Sequence, residues 1–457
     1  MNCFRTKLAV ATIACLSPLA SADKAFPSTY EAPEVGPTLI TNATVLTGDG
    51  QRLDAASVYF ADGKIVAVSS DVPEIAANTR VIDAQGRWVT PGVIDVHSHL
   101  GVYPSPDVDA HSDGNEATAP VTAEVWAEHS IWPQDPGFGR ALAGGVTTLQ
   151  ILPGSANLFG GRAVTLKNVA SVSYQGMKFP DAPYGLKMAC GENPKRVYGR
   201  KGSGPSTRMG NIAGYRAAWI KAQVYRDEHA EYAALSADEQ NETEKPKRDL
   251  ELETLAGVLD GEIIIHMHCY RADEMLTILD LAKEFDYKVG TFHHGVEAYK
   301  IANELAESGV CGALWADWWG FKMEAYDGIQ ENIALVDRAD GSCAVVHSDS
   351  DEGIQRLNQE AAKAMSRGVK AGLDIPPERA IAWITSNAAK SLGIEAVTGT
   401  LRPGKMADVV LWSGNPFSVY AKADSVFIDG VHRYDRMNPE LQPVSDFELG
   451  QLMEAGE

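Results

Sequence analysis

Val93-Ile94-Asp95-Val96-His97-Ser98-His99-Leu100 is a β-branched, mostly apolar run that closes on two histidines, the pattern of a buried strand with a polar end. Side chains alternate faces along a strand, so His97 and His99 point the same way, about 7 Å apart at a rise of ~3.3 Å per residue. That spacing lets two imidazoles close on one metal ion.

Working outward, three later apolar runs end in the same way. Ile263–Ile265 leads into His266-Met267-His268, Lys288–Phe292 into His293-His294-Gly295, and Ala344–Val346 into His347-Ser348-Asp349. His266 and His268 share a face, and alternation alone does not choose between them. His293 and His294 are adjacent, so at most one lines the mouth if the strand continues. His111, His129, His229 and His432 fall outside the pattern and read as ordinary surface or core residues.

Helical stretches at 271–286, 296–308 and 353–371 separate these runs, which predicts a parallel α/β architecture with its site at the C-terminal ends of the strands. Strands are expected at 93–99, 147–153, 185–190, 262–268, 288–294, 309–315 and 343–349. That is one short of a closed barrel of eight, and 163–167 is the candidate for the missing strand. The charged section 205–258 reads as a solvated helix pair or a mobile insertion. Short β-like runs at Thr38–Leu46, Ala56–Phe60, Ile65–Ser69 and Arg87–Val89 share their texture with Ala407–Trp412 and Ser425–Ile428. The two chain ends are therefore expected to build one β-domain around the central barrel.

Composition narrows the function classes. The chain has 457 residues, 45% hydrophobic and 22% charged, within the globular range and against disorder or fibrous structure. A net charge of −21 repels phosphate backbones and anionic lipid, so no nucleic-acid partner is expected. Gly154–Gly161 lacks the Gly-Lys-Ser/Thr ending of a phosphate loop. Arg5 and Lys7, the apolar run Leu8–Leu19 and Ala20-Ser21-Ala22 read as a signal peptide over residues 1–22. The expected product is an exported protein, periplasmic or secreted, with no membrane contact once cleaved. Cys190, Cys269, Cys311 and Cys343 remain after cleavage; oxidising conditions permit disulfides, and nothing in the spacing demands one.

Thr90-Pro91-Gly92-Val93-Ile94-Asp95-Val96-His97-Ser98-His99, Ala143-Gly144-Gly145-Val146-Thr147-Thr148 and Gly399-Thr400-Leu401-Arg402-Pro403-Gly404-Lys405-Met406-Ala407-Asp408 resemble the amidohydrolase superfamily. Gly191–Arg196 (Gly-Glu-Asn-Pro-Lys-Arg) and His268-Cys269-Tyr270-Arg271-Ala272-Asp273 are most similar to its imidazolonepropionase-related members. The resemblance spans roughly residues 38–435. It implies a (β/α)8 barrel at 91–395 and a small β-sandwich built from 38–90 and 396–435. It also implies His97, His99, His268, His294 and Asp349 as ligands of a divalent metal, expected to be zinc, as one ion or two. Glu192 resembles the acidic ligand of the sugar-phosphate deacetylase branch. Other branches use a carboxylated lysine, for which Lys187 and Lys167 are the candidates. His266 and His347 become accessory residues behind the ligands, or core.

The chemistry expected is hydrolysis of a C–N bond in an amide, cyclic amide or N-acyl compound, with Asp349 as general acid and base and His294 helping to polarise the carbonyl. A dipeptidase or carboxypeptidase using the same ion is the first alternative. A catalytically idle, metal-bound binding protein is the second, and Asp349 argues against it. Trp315, Trp318, Trp319 and Phe321 form an aromatic wall or pack in the core, and Arg196, Arg271 and Lys322 are candidate partners of a substrate carboxylate. The expected partner is a small molecule or short peptide, with a homo-oligomer as a further expectation.

Overall fold

A computed structural model describes residues 26–318 and 320–444, so the expected signal peptide and Trp319 lie outside the described residues. All seven expected central strands form, and their sheet contains eight: Val93–Ser98, Val146–Ile151, Phe159–Lys167, Tyr184–Ala189, Ile263–His268, Val289–His293, Cys311–Leu314 and Ala344–Val346, adjacent in that order. The missing strand is Phe159–Lys167, longer than the sequence suggested and antiparallel to both neighbours. No helix separates it from Val146–Ile151, which is why a search for strand–helix alternation passes over it. The first and last strands meet at the mouth, where the Asp349 N–H donates to His97 O at 3.0 Å. Asp95, fully buried, accepts from the Ser348 N–H at 3.1 Å and from the His97 N–H at 3.2 Å, which secures the same seam.

The insertion at 205–258 is in part a packed element. A helix at Arg208–Ala234 starts on a Thr207 cap and buries Asn211, Tyr215, Ala218, Trp219, Ala222 and Tyr225. These recur every three or four residues, an apolar stripe facing the barrel. Trp219 meets the rings of Phe159 at 5.2 Å and Tyr287 at 4.6 Å. This half corrects the expectation of a solvated or mobile segment; the stretch from Asp227 to Leu250 has no buried residue and is solvated as expected.

Both chain ends do enter one sheet. Val409–Trp412 pairs antiparallel with Trp88–Pro91, joining Ala423–Ile428 and Val431–Asp435 to Thr38–Leu46, Arg52–Ala61 and Lys64–Ser69. Phe60 and Phe427 belong to well-separated strands of this sheet, yet their rings lie 5.2 Å apart. The sheet therefore folds over its own core of Ile40, Val45, Val58, Val409 and Leu411. Lys167, at the end of the third barrel strand, crosses to this domain and pairs with Asp429 at 2.7 Å and Asp408 at 3.7 Å. Disulfides join Cys190 to Cys269 and Cys311 to Cys343, each across two adjacent barrel strands.

Candidate active site at the barrel mouth

His97 and His99 do share a face, and their Nε2 atoms lie 3.3 Å apart. Asp349 Oδ1 stands 3.3 Å from His97 Nε2 and 3.2 Å from His99 Nε2. His99 Nδ1 is 2.9 Å from Leu152 O, and a carbonyl only accepts. His99 therefore carries a proton on Nδ1, and its Nε2 faces the carboxylate. Two imidazole nitrogens and a carboxylate oxygen at these distances are a donor set that fits a divalent metal.

His293 and His294 both turn into the barrel, but only His294 reaches Asp349 at the mouth, while His293 lies behind His97. The strand ends at His293, and His294 takes the left-handed backbone region at φ 59°. This is uncommon for a residue with a side chain, and it turns His294 back toward the axis. Asp349 does the same after the last strand, at φ 50°. His294 Nε2 then lies 3.6 Å from Asp349 Oδ2, and its Nδ1 lies 3.1 Å from His347 Nε2. His97, His294 and His347 form one group of ligand-spaced atoms, and His97, His99 and Asp349 form another. His347, expected as an accessory residue, thus reaches the cluster itself.

His268 is buried beside these groups, its ring 5.0 Å from that of His294 and its Nδ1 without a hydrogen-bond partner. Glu192 belongs to neither group. Gly191, at φ 74°, turns the chain so that Glu192 opens the helix Glu192–Arg200, where its carboxylate is 3.6 Å from Lys322 Nζ. Lys187 lies inside the barrel instead, fully buried, with Nζ 3.3 Å from His97 Nε2 and donating to Pro153 O at 3.0 Å. Burial lowers its ammonium to about 8. Lys167 is held by Asp429 at the domain join, far from this role.

Burial also keeps the imidazoles neutral. It pushes His97, His268, His293 and His294 well below the usual histidine range, His266 to about 3 and His347 to about 4. Neutral rings offer lone pairs, which is what metal coordination needs. The mouth opens into a cavity of about 440 Å³ lined by Tyr270, Trp315, Asp317, Trp318, Phe321 and Asp349. Trp315 stacks on His294 at 4.3 Å, so the aromatic wall adjoins the histidines. Lys322 Nζ sits 4.4 Å over the Tyr270 ring, while Arg271 is turned to Asp273 at 2.9 Å.

Reading the sequence missed three participants. Alternation left the adjacent pair His293 and His294 open and the resemblance took His294, so His293 was passed over, and Asp95 and Gln150 were not singled out. Asp95 carried a signal, being two residues before His97 and so on its face. Gln150 carried none.

Residues 227–433 match the Amidohydrolase family. A crystal structure of an amidohydrolase from Thermotoga maritima MSB8 is 36% identical, with a TM-score of 0.79 over 87% of this chain and 100% of that one. The amidohydrolase tasK of Hapsidospora irregularis is 32% identical over 87% of this chain, which spans 43% of that longer protein. The imidazolonepropionase of Shewanella loihica is 24% identical over 78% of this chain and 86% of its own length.

Proposed function

The chain belongs to the amidohydrolase family, hydrolases of carbon–nitrogen bonds, and from that premise we propose that its barrel mouth cleaves an amide, cyclic amide or N-acyl compound with a bound divalent metal, zinc by preference. The observation that carries this reading is the placing of Asp349, whose carboxylate lies within 3.2–3.6 Å of three imidazole nitrogens and also lines the aromatic cavity. His97, His99, His268, His294 and Asp349 are the residues we propose to hold metal. When bound, such an ion lowers the pKa of water from 15.7 towards about 7 and polarises a carbonyl oxygen.

The chain's own residues do the rest. Asp349 takes up the proton of the attacking water and delivers it to the departing nitrogen. His294, braced by Trp315, faces the carbonyl oxygen, and the cavity walls seat the substrate and exclude bulk water. We propose Lys187 as the bridging ligand in place of Glu192. Its neutral Nζ would add to carbon dioxide, forming an N–C bond as one C=O π bond opens and one N–H proton leaves, and the carbamate would then be a metal ligand beside His97. Cleavage of short peptides is a second reading, favoured by Lys322, a half-buried cation at the mouth able to meet a terminal carboxylate. We also propose export with cleavage after Ala22; two disulfides among the described residues suit an oxidising compartment.

Metal analysis of the purified mature chain, followed by a panel of N-acyl amino acids, cyclic amides and dipeptides, tests this reading. Two zinc-like ions with turnover of the acyl or cyclic amides support it. Turnover confined to dipeptides moves the assignment to a peptidase. A metal-loaded chain that cleaves nothing in the panel supports the idle barrel, and a chain that takes up no metal overturns the hydrolase mechanism.

A further inference from the structure

Behind His97 a line of buried polar groups runs back into the barrel. His97 Nδ1 is 2.9 Å from His293 Nδ1, His293 Nε2 is 2.9 Å from His266 Nδ1, and His266 Nε2 is 3.2 Å from Gln150 Nε2. All four side chains are at most 1% exposed, so bulk solvent does not reach them. The space is made for them. A Cβ at Gly185, in the neighbouring strand, would fall 2.7 Å from His266 Cδ2 and 3.1 Å from Gln150 Nε2. A glycine inside a strand costs stability and commonly marks such a close approach.

Each nitrogen–nitrogen contact holds one hydrogen, one ring donating and the other accepting. The line therefore has only two consistent polarities. In the first, His97 carries its proton on Nδ1, His293 and His266 carry theirs on Nε2, and Gln150 must accept through its amide oxygen. In the second, the Gln150 amide nitrogen donates, every proton moves to the opposite nitrogen, and His97 ends with Nε2–H aimed at Asp349 and His99. The first leaves His97 Nε2 free for a cation; the second blocks it. Gln150 Oε1 is buried with no hydrogen-bond partner. The amide's two ends are not told apart by shape, and the half-turn that brings its oxygen to His266 Nε2–H gives the first polarity, the one that leaves His97 Nε2 open for the proposed metal.

We propose that Gln150 is a positioning residue that sets the tautomer of His97 through His266 and His293, presenting its amide oxygen so that His97 Nε2 is kept bare for metal. The inference rests on the proposed metal site, and one of its two tests is independent of that site. Histidine-selective ¹⁵N spectra of the metal-free mature chain, assigned by single histidine substitutions, should show His97 protonated on Nδ1 and both His266 and His293 on Nε2. The opposite set of tautomers overturns the proposal whether or not metal binds. The second test is zinc affinity against a competing chelator. Gln150→Leu, which removes the acceptor, should weaken binding about 10–100-fold. Gln150→Glu, which keeps an oxygen toward His266, should hold close to the parent affinity. Parent-like affinity in Gln150→Leu, or equal losses in both variants, overturns the proposal.

Discussion

Asp349 and Lys187 are the two side chains whose chemistry differs most from that of an ordinary surface acid or base. Asp349 is held in a left-handed backbone conformation against three imidazoles, strain that the strand end absorbs to aim the carboxylate. Asp349→Asn keeps the shape and removes the base. Turnover should fall about 10²–10⁴-fold with metal content largely intact, measured by steady-state kinetics beside elemental analysis. An active Asn variant would remove Asp349 from the proton transfer. For the bridging ligand, Lys187→Ala should lower the bound metal by one ion per chain, and Glu192→Gln should leave the content unchanged. The reverse pattern would return the role to Glu192. The residue types of this cluster were legible in the sequence because strand ends carry them in register. The adjacent pair His293-His294 was not, since strict alternation holds only where the strand continues, and here it stops between them.

At the scale of elements, the barrel is a set of strands whose mouth-facing ends must be held in place while their loops vary. The Cys190–Cys269 disulfide ties the ends of two neighbouring strands that are 79 residues apart in sequence. In between lies the helical insertion, so the crosslink confines a long loop in the unfolded chain. Replacing both cysteines with serine should lower stability by about 2–4 kcal/mol, read from urea unfolding with and without reductant. An unchanged midpoint would show that the strands need no such tie. The antiparallel strand Phe159–Lys167 belongs to this scale too. It was half seen, at 163–167, because its first half passes through Phe159-Gly160-Gly161, whose glycines weaken the local strand signal.

Over the whole molecule, the barrel and the β-domain share a buried ionic join. Lys167 leaves the barrel's third strand and reaches Asp408 and Asp429, and Tyr30 donates to Asp429 at 2.7 Å. Burial raises Asp408 above the usual carboxylate range, opposed by the nearby Lys167 charge. Lys167→Met strands the acids without their cation and should cost about 3–5 kcal/mol at neutral pH. Without the lysine, the folded Asp408 pKa rises further above its unfolded value of about 3.9. The folded state then binds the extra proton, so the deficit should be smallest near pH 4 and grow as pH rises. Unfolding midpoints across that range check it; a deficit that grows toward acid would contradict the argument. No helix among the described residues is long and apolar enough to cross a membrane.

Sequence alone determined what local pattern and short motifs can carry. It determined seven of the eight barrel strands, the pairing of both chain ends in one sheet, and a metal-suited histidine and aspartate set, because strand periodicity and residue chemistry are local properties. The tertiary structure decided which groups meet. It turned Glu192 to Lys322 and Lys187 to His97, sent Lys167 to the β-domain, and lined Gln150 up behind two histidines. Such contacts join residues tens to hundreds of positions apart, and their geometry depends on where each strand stops and how the closed sheet brings its ends together.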